Sequence, residues 1–120
     1  MKKTLVLGAS MKPDRYAYKA ITMLQLHGHE VVAIGNTVGE IGNIMIQKEL
    51  PETIDDLDTV TLYLNSSRQV SYYDAIIGLQ PKRVLFNPGT ENSDLVNLCG
   101  ENGIATEYAC TLVLLSTGNY

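Results

Sequence analysis

The chain has 120 residues, enough for one domain with a sizeable core and too few for a second fold. Its formal net charge of −4, with 45% hydrophobic and 18% charged residues, describes an ordinary soluble chain and excludes general nucleic-acid binding, which needs a basic face. No stretch of about 18 apolar residues offers a membrane span. The basic start, Met1-Lys2-Lys3, precedes too short an apolar run for a signal peptide, so a cytoplasmic protein is expected. Without a secretory signal Cys99 and Cys110 read as free thiols, and they lack the spacing of a zinc site.

The first element organises the rest. Leu5, Val6 and Leu7 show no polar alternation, which suits a parallel strand covered on both faces. Gly8, Ala9 and Ser10 then keep side chains small, so an anionic ligand can approach the backbone amides and the helix start beyond. Lys12, Arg15 and Lys19 against Asp14 make a local excess of +2 in an otherwise acidic chain. A small anionic ligand is the partner this implies.

Ala17, Ala20, Ile21 and Leu24 predict a helix over Tyr16 to Leu26, started near Pro13 and Asp14 and closed by Gly28. His27 and His29 flank that glycine and read as solvated residues of the helix end. Glu30 to Ile34 is a second buried strand, Gly35 to Gly42 a loop, and Ile44 to Ile46 at most a brief extended piece. Pro51 to Asp58 is an acidic connection with room for a helical turn.

Asp58 to Leu64 is the third strand. Asn65, Ser66 and Ser67 are natural N-cap residues for a helix to about Leu79 that faces Val70, Tyr73, Ile76, Ile77 and Leu79 inward. Arg83 to Phe86 is a fourth strand, and Asn87-Pro88-Gly89-Thr90 a turn. Ser93 to Glu101 is a helix burying Leu95, Val96, Leu98 and Cys99, Ile104 to Glu107 a fifth strand, and Thr111 to Leu115 a last apolar helix.

This alternation predicts an α/β fold: one Rossmann-like domain over residues 1–120, with three α/β/α layers and a five-stranded parallel sheet in the order 3-2-1-4-5. The loops that follow strands gather at the carboxyl edge, and the ligand crevice is expected between those after the first and fourth strands.

A dinucleotide-binding frame would need G-x-G-x-x-G after the first strand and an acidic residue after the second. Only Gly8 meets the first requirement, and Gly35, Asn36 and Thr37 stand where the acid should be, so an NAD(P)-binding module is the weaker alternative. No reaction centre assembles either. Ser10 lacks a histidine partner on its edge, and Cys110 reads as a small residue packed ahead of the last helix. Asp55, Asp56 and Asp58 read as a solvated run on the far edge. An interaction module with a vestigial pocket, using Met11, Tyr16 and Tyr18 as surface, is a further alternative.

Val6-Leu7-Gly8-Ala9-Ser10 with Lys12-Pro13-Asp14-Arg15 and Tyr18, then Gly42, Asn87-Pro88-Gly89-Thr90-Glu91 and Glu107-Tyr108-Ala109-Cys110-Thr111-Leu112, resembles the stand-alone CoA-binding domain family of small, YccU-like bacterial proteins. That family is related to the amino-terminal domain of the succinyl-CoA synthetase α subunit. The resemblance implies a Rossmann-like fold and coenzyme A, or an acyl-CoA, held at the carboxyl edge with Gly8, Ala9, Ser10, Lys12 and Arg15 near the phosphates. Tyr18, Asn36, Thr37, Asn65, Ser66, Asn87, Pro88 and Gly89 complete the expected site. Asn36-Thr37 departs from the Asn-Pro that relatives often carry, and the synthetase's phosphohistidine domain has no counterpart. Binding without evident catalysis is therefore expected, with a homodimer or an unidentified protein as the allowed macromolecular partner.

Overall fold

A computed structural model describes all 120 residues. Strand β1 (Thr4–Ala9) sits near the middle of the sheet, with every residue but Gly8 buried. Its side chains alternate between two cores: Leu5 and Leu7 pack with Val60, Leu62, Ile76 and Leu95, and Val6 packs with Ile21, Leu24 and Leu115. Helices α1 (Tyr16–Leu26) and α5 (Thr111–Ser116) thus cover one face, and α3 (Tyr73–Leu79) and α4 (Ser93–Glu101) the other. An apolar strand without alternation needs two covers, and here it has them.

The sheet differs from the expected one in strand number and order. It has seven strands, β2 (Val31–Gly35), β3 (Gly39–Ile41), β4 (Ile44–Gln47), β5 (Thr59–Leu62), β6 (Arg83–Phe86) and β7 (Ala105–Tyr108) joining β1, in the order β3-β4-β2-β1-β5-β6-β7. The two additional strands form an antiparallel hairpin, β3 from the stretch expected to be a loop and β4 from the expected brief extended piece, with Ile41 opposite Ile44 around Gly42-Asn43. Strand β4 pairs in parallel with β2 (Ala33 opposite Ile46), which occupies the outer edge of β2. The third predicted strand, β5, therefore pairs beside β1, with Leu5 opposite Val60 and Leu7 opposite Leu62. The order of the main strands is 2-1-3-4-5, and the reversal of direction falls between β1 and β5 rather than between β1 and β6. In open parallel sheets that reversal opens the ligand crevice.

The helix expected over residues 65–79 is three pieces: α2 (Ser66–Gln69), a tight 3₁₀ turn at Val70–Tyr72, and α3. The break turns Val70 outward, 58% exposed, and puts Gln69 in the interior at 0%. Residues 51–58 hold a turn but no helix, with Asp56 at φ 59°. His29 is only half-buried but is not simply solvated. Its Nδ1 accepts the Lys2 amide at 2.8 Å and its ring lies 4.9 Å from that of Tyr120. No helix is long and apolar enough to cross a membrane.

Candidate functional site

The loops after β1, β2, β5 and β6 enclose a cleft of about 630 Å³ at the carboxyl edge. Its floor begins at Gly8, which has φ +98° and lies so close to β5 that an added Cβ would stand 2.9 Å from the Tyr63 carbonyl carbon. Gly35 is equally confined: a Cβ there would meet the Ala9 carbonyl oxygen at 2.2 Å. The strand ends are thus drawn together by backbone packing that only glycine permits, and the backbone stays bare where a ligand approaches.

The β1 loop then turns upward. The Lys12 amide donates to Ser10 Oγ at 3.1 Å and the Arg15 amide to the Lys12 carbonyl at 3.0 Å. Arg15 occupies the N-cap position of α1 in an extended conformation, and no side chain caps the first turn. The amides there remain open beside the cleft, which Tyr16 and Ala17 line. A helix start of this kind favours anions.

Three cations, Lys12, Arg15 and Arg68, line the cleft with no Asp or Glu among its 19 lining residues. The molecule's ion pair joins Lys3 to Glu30, at 3.3 Å, and engages none of these three. In a chain of net charge −4 the positive field is therefore concentrated at this edge. Apolar surface is supplied by Ile34, Leu64, Tyr63 and Tyr72. Burial on the α1–α5 side of the sheet pushes the Tyr63 phenol up to about 12, against the lowering effect of the Thr111 and Thr61 hydroxyls.

Two buried amides hold the walls. Gln69 Nε2 donates to the carbonyls of Leu64 and Thr90, each at 2.8 Å, and so ties the β5 loop to the β6 loop. Its Oε1 accepts from Asn92 Nδ2 at 2.9 Å, while Asn92 also donates to the Tyr73 hydroxyl and caps α4 at Leu95. Asn87 Nδ2 donates to Thr61 Oγ1 and the Leu62 carbonyl, and its Oδ1 accepts the Thr111 amide.

Of the residues expected in the site, Gly8, Ala9, Ser10, Lys12, Arg15, Asn36, Thr37, Asn65, Pro88 and Gly89 line this one cleft. Three do not. Asn87 is 2% exposed, outside the cleft lining, with its carboxamide hydrogen-bonded internally, so it shapes the β6 loop. Ser66 is exposed on α2 outside the cleft lining. Tyr18 is two positions beyond Tyr16, about 200° around the helix, and lies in a groove between α1 and α5. Asn65 lines the cleft, but its Oδ1 already accepts the Arg68 amide and the Ser67 hydroxyl.

Arg68 and Tyr72 were not among the residues expected in the site, whereas Tyr63 begins the Tyr63 to Ser66 edge expected to wall an adenine slot. Arg68 stands one helical turn past the Asn65 cap at the carboxyl edge, and that position was the available signal. The Gly89 amide is also taken, by the Glu91 carboxylate at 3.0 and 3.2 Å. Cys110 occupies the N-cap position of α5 and does not line the cleft.

The fold has close counterparts. A crystal structure of an uncharacterized protein, 50% identical, superposes with a TM-score of 0.96 over 100% of this chain and 98% of that one. A Thermus thermophilus structure, cell-free ID.343, is 19% identical with a TM-score of 0.87 over 99% of this chain and 90% of that one. The dinucleotide forming acetyl-coenzyme A synthetase 1 of Ca. Korarchaeum cryptofilum, in complex with phosphate and ADP, is 17% identical with a TM-score of 0.72, over 88% of this chain and 25% of that one. No curated protein matches. The model of the CoA binding domain matches residues 2–116, nearly the whole length, and the chain belongs to the CoA-binding domain family.

Proposed function

We propose that the protein binds coenzyme A, free or as a thioester, in the carboxyl-edge cleft and carries no catalytic constellation of its own there. The observation that carries this reading is the donor set: Lys12, Arg15 and Arg68 beside an uncapped helix start, with no carboxylate lining the cleft. Coenzyme A brings a pyrophosphate and a 3′-phosphate, and such a polyanion suits backbone amides supplemented by Arg and Lys. Ile34, Leu64 and Tyr72 offer its adenine an apolar slot. A nicotinamide dinucleotide fits less well, because Gly35, Asn36 and Thr37 supply no carboxylate for the ribose hydroxyls.

Thermal unfolding with CoA, acetyl-CoA, NAD, NADP and ATP tests the reading. At a hundredfold excess over its dissociation constant a specific ligand stabilises by about 2.7 kcal/mol, a rise of several degrees in midpoint. A rise with CoA and its thioester alone is expected, and Arg15→Ala should weaken that binding by about 1 to 3 kcal/mol, the loss of a charge-assisted hydrogen bond. A rise with NAD instead, or with none of the five, overturns it.

A further inference from the structure

A second concavity of about 520 Å³ runs between α1 and α5 on the outside of the molecule, bordered by Pro13, Tyr18, Met23, Leu112 and Val113. Two of its three hydroxyl side chains, those of Thr22 and Ser116, are turned back onto their own helices, and the Tyr18 phenol is the third. Thr22 Oγ1 donates to the Tyr18 carbonyl at 3.3 Å and Ser116 Oγ to the Val113 carbonyl at 3.1 Å. Lys19 is the one charged lining residue. An apolar occupant would therefore leave the Thr22 and Ser116 hydroxyls paired, while a polar one would find only the Tyr18 phenol and the Lys19 ammonium. The volume lies within the range of small-molecule pockets.

The groove adjoins the cleft. Pro13 is on the groove's rim, and its loop neighbours Lys12 and Arg15 line the cleft. Tyr16 lines the cleft and Lys19 the groove, with the Lys19 ammonium 5.4 Å from the centre of the Tyr16 ring. One side-chain pair and one loop corner separate the two sites. A ligand with a charged head and an apolar tail, joined by a flexible arm, matches this succession.

We propose that the α1–α5 groove receives the acyl chain of a medium-chain acyl-CoA whose nucleotide occupies the cleft. The inference rests on the reading of the cleft as a CoA site and adds the ligand's class. Each methylene buried from water strengthens binding by about fourfold at most. Partial cover in an open groove therefore leaves at least a tenfold gain for an octanoyl chain.

Titration calorimetry of the intact protein with CoA, acetyl-CoA and octanoyl-CoA, below the micellar concentration of the last, tests it. Octanoyl-CoA should bind at least tenfold more tightly than CoA. Val113→Asp alters a side chain that is 55% exposed and outside the cleft. It should bring that gain within twofold while CoA and acetyl-CoA bind as before. If CoA binds and the octanoyl chain adds nothing, or if the gain survives Val113→Asp, the acyl site is overturned while the cleft reading stands. If none of the three binds, the cleft reading falls and the acyl site with it. Light scattering alongside the titration identifies the competing occupant: a dimer that Val113→Asp dissociates would mean that a second copy covers the groove, and would overturn the proposal.

Discussion

Gln69→Leu probes the connection between core and cleft most directly. The wild-type side chain is 0% exposed and makes three hydrogen bonds, two of them to the Leu64 and Thr90 carbonyls. Neither carbonyl receives another hydrogen bond, and Leu64 and Thr90 are 6% and 4% exposed. Leucine nearly conserves volume but leaves both carbonyls buried and unpaired, at about 1 to 3 kcal/mol each. The added apolar burial returns about 1 to 2 kcal/mol. The net loss is then centred on ~2.5 kcal/mol and reaches about 5, the central value being a drop of ~10 °C in midpoint for a domain of this size. Because these bonds join the wall at Leu64 and Asn65 to the wall at Pro88 to Thr90, affinity for CoA should fall as well, measured by calorimetry well below the variant's midpoint. Urea unfolding supplies the stability difference. A loss below about 1 kcal/mol with unchanged affinity would refute the assignment of Gln69 as the tie between the walls.

Three further outcomes are expected. Gly8→Ala should destabilise by about 2 kcal/mol or more, since the alanine would combine a φ of +98° with a 2.9 Å approach to Tyr63, and chemical denaturation would show it. Burial, followed by the positive charges of the amino terminus, His27, Lys2 and Arg83, lowers the His29 pKa below 6.5, so the unfolded chain binds the extra proton first. Stability should therefore be complete above pH 6.5 and decline as the pH falls below it. The decline should be under about 1 kcal/mol because solvent screens this half-exposed ring, and His29→Gln should flatten it in midpoint measurements at pH 5 to 8. Cys99 is wholly buried and its thiol is pushed up to about 11 by that burial, whereas Cys110 is half-buried. An aromatic disulfide reagent should titrate one thiol in the native protein and two in denaturant, and two fast-reacting native thiols would contradict the packing of α4.

The amino-acid sequence by itself determined the α/β class and the position of the long elements, except that the helix expected over residues 65–79 is broken at Val70–Tyr72. It also determined the chemistry of the β1 loop, because unbroken apolar runs, glycine stops and Asn or Ser caps act within a few residues of themselves. Ten of the expected ligand-edge residues share one cleft for the same reason: in a parallel sheet, any loop that follows a strand ends at one edge. Ile44 to Ile46 was legible as an extended piece but its hairpin with Gly39–Ile41 was not, because strands of three and four residues carry too little periodicity to stand out from a glycine-rich loop. Tertiary structure alone decided that β4 takes the outer edge of β2 and sends β5 to β1, a choice between distant edges of similar apolar character. It alone decided the fate of the asparagine and glutamine side chains. Asn87 and Gln69 are both polar residues near the carboxyl edge, and only the positions of Thr61, Leu62, Thr90, Asn92 and Thr111, brought together across 21 to 26 residues of chain, turn them into internal ties. Local pattern sets what each segment is, and long-range hydrogen-bond satisfaction sets which way its polar groups face.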